Sequence, residues 1–248
     1  MKKSEFKRIK QKICDLDFSR WWGDDYDVRF YLIHKLKIHK NKKILDIGGG
    51  IGIILSELDS TNFRINLDLS LTDLIKCHTK TDSKIENICA SMTHLPFVDN
   101  IFDIVICANI LEVAKSNDIN SNNLKINNSI TEYPTVDLIL ENAYGSLKNN
   151  SILYVTTPNE KYFKGNKMNY NELKNTLKNY FTQISLWNYN SFPRLYKKNR
   201  KLNLANIIPK FMSKIFTDKT IFRILLNDDS GFEKYSVWFY IEAKKFLK

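Results

Sequence analysis

The 248-residue chain reads as a doubly wound α/β protein with seven strands in one mostly parallel sheet. Three features point there. From residue 43 onward short β-branched runs alternate with helical patterns, one of those runs is apolar almost throughout, and half of the eight glycines crowd between the first strand and the next helix. Strands that alternate with helices pair in parallel, and right-handed crossovers leave little freedom in how the sheet is wound. A strand that is apolar on both faces is expected where helices cover both sides of the sheet.

Residues 1–42 read as a mostly helical N-terminal cap, with Ile9, Ile13, Phe18, Tyr31, Leu32 and Leu36 at helical spacings. A core follows over 43–160. Lys43 to Ile47 is its first strand, and Gly52 to Leu58 a helix. Phe63 to Asp68 is the second strand, after which Ser70 supplies an N-cap hydroxyl for another helix. Lys84 to Ala90 is the third strand, Phe102 to Ala108 the apolar fourth, and Ser151 to Thr156 the fifth, preceded by a helix over Val136 to Leu147. Residues 115–133, rich in Asn and Ser, read as a long loop. Residues 161–248 complete the sheet, with a helix over Glu172 to Phe181, strands over Ile184 to Tyr189 and Tyr235 to Ala243, and an insert at about 193–230. The three parts are expected to form one structural domain.

At 43% hydrophobic and 26% charged residues the composition is that of a soluble globular chain, which excludes disordered, collagenous and coiled-coil readings. The four cysteines, Cys14, Cys77, Cys89 and Cys107, form no C-x-x-C pair and read as buried, reduced thiols of a cytoplasmic protein. No uncharged apolar run reaches the 18 or so residues of a membrane span. His34, His39, His78 and His94 have no ligand spacing, so no metal is expected. Net charge is +11, unevenly spread: +7 over residues 1–43, −8 over 44–160 and +12 over 161–248. Basic ends suggest an anionic partner, although with 27 Asn in the chain an A/T-rich codon bias explains the abundance of Lys equally well, but not its segregation.

Gly48, Gly49, Gly50 and Gly52 lie within five positions at the start of a helix, where bare backbone approaches a ligand closely and helix N–H groups face it. A dinucleotide fingerprint would need a third glycine at position 53, which is Ile53. What stands there is Asp46-Ile47-Gly48-Gly49-Gly50-Ile51-Gly52, a D-x-G-x-G-x-G pattern.

This pattern resembles motif I of the class I S-adenosylmethionine-dependent methyltransferases, and the resemblance extends over about residues 40–160. Asp68 ends the second strand where that family places an acid on the ribose hydroxyls. Leu95-Pro96-Phe97, Asp99 to Val105 and Ile110-Leu111-Glu112 are similar to the L-P-F, D-x-x-F-D-x-V and L-E-H signatures of its type 11 group, which includes ubiquinone- and menaquinone-type enzymes. The resemblance implies a Rossmann-like fold, S-adenosylmethionine as donor and S-adenosylhomocysteine as product. It further implies that Gly48, Gly49, Gly50 and Gly52 line the methionine part of the donor, that Asp46 orders the loop and the donor's ammonium, and that Asp68 with Leu69 holds the ribose side. Ser91 and Met92 would flank adenine, or else simply pack their loop. Asn109 ends the fourth strand beside the expected methyl position, or caps the helix that follows. Three departures stand out: Ser91 where the family often has Asp for the adenine amino group, Val113 for the His of L-E-H, and Lys148-Asn149-Asn150 for Lys-Pro-Gly-Gly.

No catalytic base stands out; Tyr26, Glu112 and Tyr162 are the weak candidates, and His94 reads as an ordinary loop residue. Trp21 and Trp22 cannot both face one core from a helix, so they either cover the ligand as a lid or staple their segment to the sheet. Arg194 to Leu226 is basic and partly amphipathic, which favours peripheral contact with an anionic membrane and a small-molecule, lipid-linked or glycan acceptor; a basic helical cap over the pocket is the plainer reading. An RNA acceptor ranks lower because Ala108-Asn109-Ile110-Leu111 lacks the N-P-P-Y-like tetrapeptide of amino-methylating nucleic-acid enzymes. A donor-binding subunit without activity is the third reading.

Overall fold

Burial of both faces of β4 (Phe102–Ala108) explains why this run is apolar at every position but Asp103. Ile104 and Ile106 enter the cluster on one face of the sheet, while Val105 and Cys107 enter the cluster on the other. Both faces are dry because helices cover both, and each fully buried Ile or Val contributes about 1.5–3 kcal/mol. The computed structural model describes residues 4, 5, 7–9, 11, 28–120, 134–159, 169–189, 226–227 and 238–246.

Around β4 run β1 (Lys43–Ile47), β2 (Phe63–Asp68), β3 (Glu86–Cys89), β5 (Leu147–Pro158), β6 (Gln183–Tyr189), β7 (Leu226–Asn227) and β8 (Trp238–Lys245), in the spatial order β3-β2-β1-β4-β5-β8-β6-β7. The first five positions in that order are parallel, whereas β8 is antiparallel to both β5 and β6. Seven strands are therefore found as expected, and the two-residue β7 adds an eighth at the edge, against β6. The chain winds outward in one direction from β1 through β2 to β3 and in the other from β4. The C-terminal ends of β1 and β4 consequently part at a crevice, which is where open α/β sheets hold ligands.

One face carries α1 (Val28–Leu36). The other carries α4 (Leu111–Asn120), α5 (Pro134–Ser146) and α6 (Tyr170–Tyr180). Short α2 (Ile53–Ser56) and α3 (Leu71–Lys76) follow β1 and β2, and α3 runs on into a π-helical turn over Cys77–Thr81. α1 is fixed to the sheet at its C-terminal end by an ion pair of 3.1 Å between Lys35 and Glu242 and, just beyond the helix, by a 3.2 Å contact between His39 Nε2 and Tyr154 Oη.

Several expectations need correction. The long loop expected from residue 115 is helical to Asn120, because the apolar turn at Leu111 and Ala114 buries against the sheet and carries the helix into the polar stretch. The helix expected over Gly52 to Leu58 is a single turn, and the third strand is shorter than Lys84 to Ala90, since the π turn and the residues after it absorb its start. Cys89 is exposed, unlike buried Cys77 and Cys107. It lies at the end of β3, the last strand on that side of the sheet. Cys14 lies outside the described residues.

Lys245 closes the far end of the sheet. Its ammonium is buried and donates to Asn100 Oδ1 (2.9 Å), Tyr144 O (2.8 Å) and Leu147 O (2.7 Å), above the Tyr144 ring. A cation is well placed at the carbonyl end of a helix, and here it stands in for a glycine C-cap on α5. Lys245→Met keeps the stem and leaves three acceptors without it, so we expect a loss of about 3 kcal/mol and a melting point lower by roughly 10 °C, read by thermal unfolding.

Candidate functional site

The loop after β1 is pinned from below. Gly48 N and Gly49 N both donate to Leu67 O of β2 (2.7 and 3.3 Å), and Gly48, Gly50 and Gly52 adopt positive φ. At Gly49 the constraint is space, since a Cβ would stand 2.3 Å from Asn66 Oδ1 and 2.8 Å from Asp46 Oδ2. At Gly50 it is conformation: φ is +54°, and a Cβ would meet nothing within 4 Å, because the position faces open space. The loop thus offers bare backbone to whatever fills that space.

Two carboxylates flank it. Asp68, at the end of β2, accepts from Gly50 N (2.9 Å) on one oxygen and from Ser70 N (2.8 Å) on the other. Those bonds fix its orientation and leave further lone pairs for a diol. Asp46 is different. It is 1% exposed, and neither carboxylate oxygen has a hydrogen-bond partner. Burial, and secondarily the charge of Asp68, push its pKa up to about 8. A buried carboxyl without a donor is costly, and its presence on a cavity wall calls for a cationic or N–H-bearing ligand.

A cavity of about 360 Å³ joins these groups at the C-terminal ends of β1, β2 and β4. Of the residues expected from the sequence, Asp46, Gly48, Gly49, Gly50, Asp68, Leu69, Met92 and Asn109 line it. Gly52 does not; it caps α2 beside Cys77. Ser91 does not either: its hydroxyl pairs with Thr93 Oγ1 (2.8 Å), and Thr93 in turn pairs with His94 Nδ1 (2.9 Å), which folds the loop on itself. Asn109 has φ of 57° and is held by two bonds to Thr156, accepting from its hydroxyl and donating to its carbonyl. Glu112 is buried outside the cavity lining, where it accepts from Thr157 Oγ1 (3.3 Å). Trp21, Trp22, Tyr26, Tyr162 and the basic stretch from Arg194 lie outside the described residues. Among the described residues no three His, Cys, Asp or Glu side chains cluster as metal ligands, and no helix is long and apolar enough to cross a membrane.

Two charged lining residues were not foreseen. Arg29 reaches the cavity from α1, a contact that is purely tertiary and has no local signal. Asp73 lines it from the first turn of α3, where the spacing Ser70-x-x-Asp73 reads as an ordinary capping box.

The site fits S-adenosylmethionine in the chemistry of its donors and acceptors: an unpartnered acid for an ammonium, a fixed carboxylate for a ribose, bare glycine backbone, and apolar Leu69 and Met92 for a base. Residues 45–155 match the family model described as a methyltransferase domain. A curated but uncharacterised protein of Methanocaldococcus jannaschii is 44% identical over 80 residues, which is 31% of this chain and 33% of that protein, so the alignment spans about a third of that relative's length. Among solved structures, a methyltransferase of Thermotoga maritima described as a possible histamine N-methyltransferase superposes with a TM-score of 0.52 at 12% identity, covering 97% of this chain and 99% of that one. Phosphoethanolamine N-methyltransferase 2 of Haemonchus contortus, bound to phosphomonomethylethanolamine and S-adenosylhomocysteine, superposes with a TM-score of 0.55 at 17% identity, covering 88% and 52%. At such identities the likeness of structures speaks for the fold.

Proposed function

We propose that the chain, whose residues 45–155 match the methyltransferase-domain model, transfers a methyl group from S-adenosylmethionine to a small-molecule, lipid-linked or glycan acceptor. The observation that carries the reading is Asp46, a buried acid with two unpartnered oxygens on the wall of the cavity. The cavity's size is that of a small-molecule site. Apolar, exposed Val113 on its lining supports an acceptor with an apolar body.

When bound, S-adenosylmethionine supplies an electrophilic sulfonium methyl. The chain's own work is alignment and exclusion of water. Asp46 holds the ammonium end, and Asp68, already oriented by Gly50 N and Ser70 N, accepts from the ribose hydroxyls. Leu69 and Met92 border the base, and Arg29 adds a cation for the donor's carboxylate. Asn109, clamped on Thr156, sets the end of β4 beside the reacting carbon. Val113 puts an aliphatic group where a base would stand, so the acceptor nucleophile enters without help from that position.

Calorimetric titration with S-adenosylmethionine and S-adenosylhomocysteine tests the reading, together with methyl transfer from a labelled donor over a panel of small-molecule, lipid-linked and glycan acceptors. Heat with neither ligand, alongside binding of a nicotinamide dinucleotide, would end it. Asp46 adds a pH signature. Its folded pKa is raised, so in the ligand-free protein its contribution to stability declines as pH climbs from the usual carboxylate range toward 8. An ammonium beside it favours the ionised form. Donor binding between pH 6 and 7 is therefore expected to release a proton, and affinity to rise with pH across that range. Calorimetry in buffers of different ionisation enthalpy measures this, and Asp46→Asn should abolish the release.

A further inference from the structure

The spacing Ser70-x-x-Asp73 should make a reciprocal capping box, yet only half of one forms. Asp73 N donates to Ser70 Oγ (3.3 Å), but Ser70 N, which the Asp73 carboxylate would take, already donates to Asp68 Oδ1 (2.8 Å). The Asp73 carboxylate is left with a loose contact of 3.7 Å to Lys76, on the cavity lining. It is a charge that the helix cap does not use. Across the same cavity lies Asp46, 1% exposed and without any hydrogen-bond partner. Asp46 and Asp73, the latter held only by that loose ion contact, therefore share the space with Asp68, against one lining cation, Arg29, among the described residues.

An acidic cavity tells apart two ligands that differ by one charge. The donor carries a sulfonium, an ammonium and a carboxylate, for a net +1; the product has lost the sulfonium charge and is neutral overall. Every shape and hydrogen-bonding group except the transferred methyl is common to both. We propose that Asp73 is a charge-selective residue that favours the cationic donor over its uncharged product, so that spent cofactor is held less tightly than fresh. The proposal rests on the reading of this cavity as the donor site. At a separation of about 8 Å in a partly wet pocket, one carboxylate changes the affinity for a unit positive charge on the order of fivefold, and the effect weakens with salt.

The test is Asp73→Asn, which preserves size and the main-chain bond to Ser70. Titrate wild type and variant with S-adenosylmethionine, with S-adenosylhomocysteine and with sinefungin, in which an amine replaces the sulfonium and restores the positive charge. The expected result is about fivefold weaker binding of the two cationic ligands, less than twofold change for the neutral product, and a wild-type preference for donor over product that shrinks toward the variant's in 1 M salt. Equal weakening of all three ligands would make Asp73 a contact to their shared nucleoside and overturn the proposal, as would no change in any. Failure of wild type to bind either donor or product would instead sink the reading on which it rests.

Discussion

Asp68→Ala is expected to weaken donor binding by about a hundredfold, to reduce methyl transfer to near background, and to lower the melting temperature by roughly 10 °C, since two main-chain donors lose their acceptor. The carboxylate has two duties at once. It accepts from Gly50 N and Ser70 N, holding the glycine loop and the start of α3 in register, and it presents its remaining lone pairs to the ribose. Charged hydrogen bonds are worth about 1.5–3 kcal/mol each, and the loss of two to the diol corresponds to at least two decades in affinity. Asp68→Asn retains an acceptor but no charge, and should fall between wild type and alanine. Isothermal calorimetry reads both, and an Asp68→Ala variant that bound the donor like wild type would place the ligand elsewhere.

Gly49→Ala is the second large effect, and it strikes the fold first. The added methyl would lie 2.3 Å from Asn66 Oδ1 and 2.8 Å from Asp46 Oδ2, both groups buried, with Asn66 Nδ2 tied to Gly50 O (2.8 Å) and to Asn87 Oδ1 (3.1 Å). Neither can swing away without breaking the wall of the crevice. We expect a loss of about 3–4 kcal/mol, a melting point lower by roughly 10 °C, and no measurable donor binding. Gly50→Ala supplies the contrast. There a Cβ meets nothing within 4 Å, so the cost is confined to a positive φ, about 1 kcal/mol, while the methyl intrudes on the ligand. The pair separates folding from binding: similar melting curves for the two variants would contradict the geometry at Gly49.

Much of this arrangement could be read from residue order. The run Phe102 to Ala108 announces a strand buried on both faces, because no other setting suits five consecutive apolar side chains after Asp103. The glycines and the two acids, Asp46 and Asp68, lie in one short βαβ stretch, where local rules determine what faces what, and all but Gly52 line the cavity. What could not be read depends on contacts between distant parts. Arg29 precedes the first strand and meets the cavity only because α1 is anchored at its other end by Lys35 on Glu242. Asp73 carries no signal of its own in the sequence beyond its place after Ser70, and the prior claim of Asp68 on Ser70 N keeps its carboxylate out of the cap. Ser91 reads as an adenine contact from residue order alone, but its hydroxyl pairs with that of Thr93, which pairs in turn with the His94 ring. Helix α4 persists through polar residues because burial at Leu111 and Ala114 outweighs propensity.

The position of β8 has a consequence for synthesis. It lies between β5 and β6 although it follows both in sequence. On the ribosome, the five parallel strands that build the crevice can assemble as they emerge, but β6 has no neighbour until residues 226–227 and 238–245 have been translated. During that interval the nascent chain carries open edges on β5 and β6 that attract each other or a foreign strand. Holding chaperones, or a pause in translation after β6, would bear on the yield of native protein far more than on its final stability.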